Sequence, residues 1–558
     1  MLYVVAHLSE QTAVITSRLR SLVAFSLSPP PILPIGHVPL ENIQEAEFVG
    51  KVYIGSPPRP YTVVFDTGSA NLWVLSKEGT HVPSGKGAYV HDRSSTYQPN
   101  GKTMNIKYGS GFVEGFYSND QVQAGGLSIP QMAFGEATLA MDNEHGTLFS
   151  GMQGEGILGL AFQGISEHAV PTFLDLLYQE KQIDKKIFSF YHTRNVKRHG
   201  SRMILGGVDM SFAREKEFKY VPLVGDGFWV VGMAQLELRR GGGERGREGG
   251  REGGSEGEGI PPMRAGTMMT AAAAVTVDTA ATSSGNRSSR GNSRSGSNLG
   301  GSSRSSIRSN SSSRSSIRSS DNSYSNNTLK LCAGQANCLA IVDTGTSFLG
   351  IPQTKLPAML EFITHGHKNC LVQKSKLTVC DCDRAMSGFP DIEIHLHADL
   401  ASLPLSSTLR RRHVARLPAG EGAGGGQGVG GKGEIVTLRL APEDYLLQFY
   451  SDFKYKCAIG LQGVHSNLMG RDDDVYILGT TVLKTYYTVF DAEKMQVGFA
   501  YTADEKEPPS KAGPVIAVLY RLTSLALYVV ILVCLVRISQ DSAKSEEEGE
   551  EGEEGESV

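Results

Sequence analysis

The run Val63-Val64-Phe65-Asp66-Thr67-Gly68-Ser69-Ala70-Asn71-Leu72-Trp73 returns far downstream as Ala340-Ile341-Val342-Asp343-Thr344-Gly345-Thr346-Ser347-Phe348-Leu349. In each copy an apolar, β-branched strand delivers an aspartate to its end, and a glycine then turns the backbone among small hydroxyl residues. Each copy is also followed, further on, by the same apolar segment, Ile157-Leu158-Gly159 or Ile477-Leu478-Gly479. A chain that repeats a strand, a turn and a second strand in this order is an internal duplication, so it must fold into two related halves. One Asp-Thr-Gly triplet is commonplace in turns; two in matched contexts make a pair of carboxylates.

The 558 residues exceed what one hydrophobic core organises, which agrees with two large lobes plus appendages. From Pro39 onward short strands alternate with Gly, Pro, Asn and Ser clusters, as in Phe48–Ile54, Met104–Tyr108, Gly115–Val122 and Met203–Leu205. The spacing predicts an all-β dominated fold. One short helix is expected at Pro171–Tyr178, where a proline opens a run of helical apolar spacing. The formal charge of −4 is small for this length, and no basic run interleaved with aromatics occurs in the patterned segments, which argues against nucleic acid as a partner.

The lobes are expected at 39–238, containing Asp66, and at 329–507, containing Asp343. Residues 1–38 read as a leader or partial prosegment: Leu22–Leu27 is too short and too far from the start for a good secretory signal. Between them, 239–328 collapses into Gly/Arg/Glu and then Ser/Arg/Asn repeats. Apolar side chains there are too few to offset the entropy of ordering, so the segment is expected to be a disordered insertion, and 401–433 a second one. Asn286, Asn310 and Asn326 lie in Asn-x-Ser/Thr sequons. Near the end, Val515–Val536 is interrupted among charged residues only by Arg521. At about 1.5 Å per residue it is long enough to cross a hydrocarbon core of about 30 Å, so it is expected to be a single transmembrane helix, with 537–558 as an acidic tail.

Of seven cysteines, Cys534 falls inside that apolar run, and the other six, Cys332, Cys338, Cys370, Cys380, Cys382 and Cys457, cluster in the second half. An even set in one lobe predicts up to three disulfides and an oxidising compartment, without fixing their pairing. A zinc site would have to use Cys380 and Cys382 with His365 and His367, whose spacings match no usual zinc pattern; no metal or other cofactor is expected.

Two carboxylates brought close together cannot both ionise comfortably, so they share a proton and titrate as a pair. The ionised member can take a proton from water while the protonated one polarises a carbonyl, which suffices for amide hydrolysis without a covalent intermediate. A serine nucleophile is not expected, because no Gly-x-Ser-x-Gly elbow occurs in the patterned segments.

With these motifs, from about Pro39 to Tyr501 apart from the insertions, the chain resembles the pepsin-like (A1) aspartic endopeptidases, the family of pepsin, cathepsin D and the plasmepsins. The resemblance implies a bilobal double β-barrel with a central cleft, acting on protein or peptide substrates as a monomer. Asp66 and Asp343 would be the catalytic pair, held coplanar by Thr67, Gly68, Thr344 and Gly345, with Ser69 and Thr346 beside them. The hairpin around Tyr108, Gly109 and Ser110 resembles the flap that closes over bound peptide, Tyr108 reaching toward Trp73. Disulfides Cys332–Cys338 and Cys457 with Cys380 or Cys382 are likewise implied by the resemblance. Departures exist: the first half has no cysteine, Thr480 stands where pepsin has aspartate, and Glu155 replaces the usual Asp before Gly156. Low-complexity insertions in a membrane-anchored chain look similar to those of apicomplexan homologues. The expected function is a membrane-anchored aspartic endopeptidase of the secretory or endomembrane pathway, its lobes lumenal or extracellular. The alternative is a pepsin-like protein that binds peptide without cleaving it.

Overall fold

A computed structural model describes residues 35–79, 85–142, 152–193, 200–240, 323–325, 327–335, 338–373, 375–399, 434–464 and 474–503. Residues 241–322 and 401–433 of the expected insertions, the three sequon asparagines and the apolar run 515–536 lie outside these residues, whereas Ser323–Ser325 and Thr328, expected within the first insertion, are in strands. Among the described residues no helix is long and apolar enough to cross a membrane.

The described residues are dominated by strands, with few short helices. Strand Gly36–Ile43 alternates buried and exposed side chains, as a strand with one face on a core must. It links two systems, pairing with Arg202–Leu205 on one side and with Glu47–Ile54 on the other. The first system is a central set to which both ends of the chain contribute: Arg202–Leu205, Ile187–Tyr191, Tyr486–Asp491, Gln496–Tyr501 and Lys219–Pro222 follow one another, each antiparallel to its neighbour. Its core is aromatic: Phe188 stacks on Phe490 at 4.8 Å, and Trp229 meets Phe490 edge-on at 5.1 Å. All three side chains are buried, and each contributes about 2 kcal/mol or more by leaving water.

The two duplicated units fold alike. Arg59–Asp66 runs parallel to Gly156–Gly159, with Asp66 opposite Gly159, while Leu72–Leu75 returns antiparallel on the other side of Gly156–Gly159. In the second half Cys338–Val342 runs parallel to Asp474–Leu478, and Leu349–Pro352 returns antiparallel beside it. These inner strands are buried on both faces, which is why they read as unbroken apolar runs. The shared glycine now has a reason. A Cβ on Gly159 would lie 2.5 Å from the backbone of Ala70 and Asn71, and one on Gly479 would strike the backbone oxygens of Thr346 and Phe348. In both halves a side chain there would push the turn after the aspartate out of place.

Strand Val230–Arg239, inside the expected first lobe, pairs instead with Cys338–Val342, Asp391–His397 and Thr328–Leu331, so it is built into the second half. A four-stranded sheet at the side of that half, Leu371–Val372, Thr378–Asp381, Lys454–Ile459 and Leu446–Ser451, carries two of three disulfides. Cys332 is bonded to Cys338, Cys370 to Cys380 and Cys382 to Cys457. Of the two partners open to Cys457, it takes Cys382. Cys380 and Cys382 are thereby bonded to other sulfurs and offer no thiolate to a metal, and His367 lies flat on Phe389 at 3.7 Å.

The expected helix is present as Phe173–Gln179, its N-cap Thr172 accepting from the Asp175 amide. A second helix, Leu356–Thr364, was not anticipated. Pro357 lies in its first turn, and Met359, Phe362 and Ile363 form its buried stripe, a pattern present in the sequence but submerged in a strand-rich context.

Candidate functional site

Asp66 ends its strand and Asp343 directly follows its own, and both side chains are completely or almost completely buried. The turn after each aspartate folds back to solvate its carboxylate. Gly68 N–H donates to Asp66 Oδ1 (2.8 Å) and Ser69 Oγ to Asp66 Oδ2 (2.5 Å). Gly345 N–H donates to Asp343 Oδ1 (2.8 Å) and Thr346 Oγ1 to Asp343 Oδ2 (2.6 Å). The sets match atom for atom because the local sequences match.

The threonines join the two halves. Thr67 N–H donates to Thr344 Oγ1 (3.0 Å), and Thr344 N–H to Thr67 Oγ1 (2.9 Å). Each hydroxyl in turn donates to a carbonyl of the opposite strand, Thr67 to Val342 (2.8 Å) and Thr344 to Phe65 (2.6 Å). Four buried hydrogen bonds therefore tie the ends of the two strands together and bring the carboxyl groups face to face. Gly345 lies against the Asp66 carboxylate so closely that a Cβ would collide with it.

Asp66 and Asp343 lie close enough for their side chains to interact, and two carboxyl groups so placed can hydrogen-bond only if one of them carries a proton. Burial raises the pKa of both. For Asp66 the negative charge of Asp343 pushes further in the same direction, against the donors Ser69 and Gly68. For Asp343 the opposing donors are Thr346, Asp66 and Gly345. Two carboxyls so buried and so close favour holding one proton between them, with donors fixed on both.

Above the pair, Gln98–Tyr108 and Gly111–Ala124 form a hairpin with Gly109 and Ser110 at its turn and Tyr108 paired with Gly111. Tyr108 is buried, and its hydroxyl accepts from Trp73 Nε1 at 2.6 Å and bonds to Ser69. Burial, followed by the Asp66 charge, raises the Tyr108 pKa, so it stays a neutral phenol. Trp73, which reads equally well from sequence as plain core, is both: it is fully buried and it holds Tyr108. Thr480 donates to the Ser347 carbonyl at 2.9 Å instead of presenting an acid. Glu155 takes a structural position, accepting from Thr62 N–H (2.8 Å) and Gly87 N–H (2.6 Å).

Asp66, Asp343 and the residues of their two turns thus come together, with Tyr108 and Trp73 beside Ser69, while Gly109 and Ser110 are placed only at the hairpin turn and the cysteines lie apart in the second half. Asn71, Tyr117 and Glu167 are three neighbours that sequence reasoning passed over. Asn71 stands inside the first motif, but nothing marks Tyr117 or Glu167 as belonging near it.

A model of the family described as eukaryotic aspartyl protease matches residues 47–247, 303–416 and 433–502. Among curated proteins the chain is similar to cathepsin D of Mus musculus, 27% identical over 488 residues, covering 85% of this chain and 84% of that protein. It is similar at 26% identity to cathepsin D of Homo sapiens, with 85% of each covered. Aspartic proteinase A1 of Arabidopsis thaliana is 39% identical over 211 residues, 36% of this chain and 39% of the relative.

Proposed function

Because the chain belongs to the eukaryotic aspartyl protease family, we propose that it is an aspartic endopeptidase whose reacting groups are Asp66 and Asp343. The observation that carries this reading is the pair of buried carboxyls held inside two matching sets of donors on turns that are hydrogen-bonded to each other. A water held between them loses a proton to the ionised carboxyl as its oxygen attacks the scissile carbonyl. The protonated carboxyl donates to that carbonyl oxygen, and the resulting tetrahedral diol collapses as a proton passes to the leaving nitrogen. Thr67, Gly68, Ser69, Thr344, Gly345 and Thr346 keep the carboxyl oxygens oriented, so little reorganisation is needed during the reaction. Tyr108, carried by Trp73, closes over the substrate, while the backbone at Gly109 and Ser110 pairs with the extended peptide.

The protease lobes extend over 39–238 and 329–507, with the strand Val230–Arg239 lent to the second lobe. The apolar run 515–536 anchors the chain in a membrane as a single span, with the lobes on the lumenal or extracellular side; three disulfides in one half support an oxidising compartment. The catalytic unit acts on protein or peptide substrates as a monomer.

The test is digestion of a peptide library by the purified protein across pH, beside Asp66→Asn and Asp343→Asn. Cleavage by the parent and by neither variant is expected. Cleavage surviving in either variant overturns the assignment of the pair, and a parent that binds but never cuts peptide supports the non-catalytic alternative.

A further inference from the structure

The short segment Gln163–Ala169 lies against the root of the hairpin, and its contacts form a closed circuit. Glu167 N–H donates to Asn71 Oδ1 (2.9 Å), Asn71 Nδ2 donates to Tyr117 Oη (3.0 Å), and Tyr117 Oη donates to Glu167 Oε2 (2.9 Å). The second carboxylate oxygen, Oε1, accepts from Asn105 N–H (2.9 Å) on the first hairpin strand. One residue on, His168 Nε2 donates to the Thr103 carbonyl of that same strand (2.8 Å). Four parts of the chain meet here: the loop that follows Asp66, both strands of the hairpin, and the segment containing Glu167.

Each link suits its task. Asn71 and Tyr117 are buried, so a missing partner would be costly for either. Burial, followed by the Glu167 charge, raises the Tyr117 pKa, keeping it a hydroxyl that donates to a carboxylate. The Glu167 carboxylate serves Asn105 N–H and Tyr117 O–H together, with one acceptor oxygen aimed at each. His168 and Ala169 hold left-handed backbone, φ 56° and 51°, which costs a residue with a Cβ about 1 kcal/mol each. That cost is sustained where surrounding contacts over-determine the conformation, and here they run to the hairpin.

We propose that Glu167 is a positioning residue that braces the root of the Tyr108 hairpin against the Asp66 loop, setting how readily the hairpin opens and closes over peptide. Asn105 is three residues before Tyr108, about 10 Å along the strand. Play at the root is therefore transmitted to the tip, where Tyr108 meets Trp73 and Ser69. The brace rests on the reading of the pair as a peptide-hydrolysing site only for its kinetic consequence; its mechanical part stands without it.

The experiment uses the full chain and the variants Glu167→Gln, Tyr117→Phe, their double variant, and Glu180→Gln as a control that makes the same chemical change at an exposed residue after helix Phe173–Gln179. Two quantities are read: amide hydrogen exchange over 103–112 without substrate, and kcat and KM on a cleaved peptide. The Gln variant keeps one acceptor and loses the other, so exchange at the hairpin should quicken about tenfold. KM should rise about three- to tenfold, with kcat within about twofold of the parent. The double variant should be little worse than either single change, because both break one circuit. Glu180→Gln should leave hairpin exchange as it is. Unchanged hairpin exchange in both single variants, or a fall in melting temperature and kcat with no change confined to the hairpin, overturns the brace. Should Glu167→Gln fail to fold, Tyr117→Phe alone carries the same two readouts. Exchange is measured without catalysis, so an inactive parent would refute the protease reading while leaving the brace to be judged.

Discussion

The two halves hold the aspartate turn alike but reinforce the structure around it by different means. The second half is cross-linked by three disulfides, away from Asp343, and cysteines are absent from the first. There, buried carboxylates act as multi-armed acceptors. Glu136, with no exposed surface, accepts from Ser118 Oγ (2.6 Å) and Ser76 Oγ (2.9 Å) and faces His91 Nδ1 at 3.3 Å. Asp120 accepts from Tyr89 Oη (2.6 Å) and from Gln121 N–H (2.8 Å). The half that carries the hairpin is thus reinforced by hydrogen bonds that can rearrange, whereas the other is reinforced covalently. A fold can duplicate its reactive turn exactly and leave the supporting structure free to diverge.

The sharpest break in this comparison is expected at the parts that are the same. Asp66→Asn and Asp343→Asn should each lower kcat/KM by about 10³-fold or more, since neither half can do the proton transfers alone. Peptide digestion measures this, and a large asymmetry between the variants would show the halves to be chemically unequal. Next in size is the covalent side. The double change Cys382→Ser with Cys457→Ser should destabilise the protein by about 3 kcal/mol in denaturant titrations. Hydrogen exchange should loosen mainly at Lys454–Ile459 and Thr378–Asp381, and loosening centred on the first half would contradict independent reinforcement.

On the hydrogen-bonded side, Glu136→Ala strands two buried hydroxyls and should cost about 2 kcal/mol, with faster exchange at Ser76 and Ser118. An effect near zero would mean that these bonds do not hold the half together. The smallest effect concerns pH at the junction. His192 is buried between Phe48 and Phe190, and burial lowers its pKa to about 4, with the Leu483 backbone opposing only in part. A histidine kept neutral in the fold stabilises it above its unfolded pKa, near 6.5, and loses that contribution as pH falls toward 4. Between pH 6.5 and 5 the loss should be about 1.5 kcal/mol, and His192→Leu should flatten it in a melting-temperature series. The raised pair works in the opposite sense: its contribution is present at low pH and lost as pH rises and the second carboxyl is forced to ionise. A His192→Leu protein with an unchanged acid slope would place the sensitivity elsewhere.

Much of this was legible in the chain itself. Duplication, strand rhythm, both aspartates and the hairpin tyrosine are encoded by contiguous residues, because a strand ending in Asp-Thr-Gly needs only local rules to form its turn. The short helix Phe173–Gln179 was visible through its proline and its apolar spacing, whereas Leu356–Thr364 has similar signals and was hidden by the strand-rich segments around it. The strand Val230–Arg239 reads as the last of the first lobe because sequence order suggests it, yet it pairs with the second.

By itself, then, the sequence determined that there are two halves, that each presents a carboxylate at a strand end, and that six cysteines lie in one of them. Tertiary structure alone decided which cysteines bond, that Thr67 and Thr344 clasp across 277 residues, and that Glu167 reaches the hairpin root. The physical reason is range. Turns and strands follow from neighbouring residues, but which buried donor meets which acceptor is settled only when packing excludes water and each polar group must find a partner wherever the fold has put one.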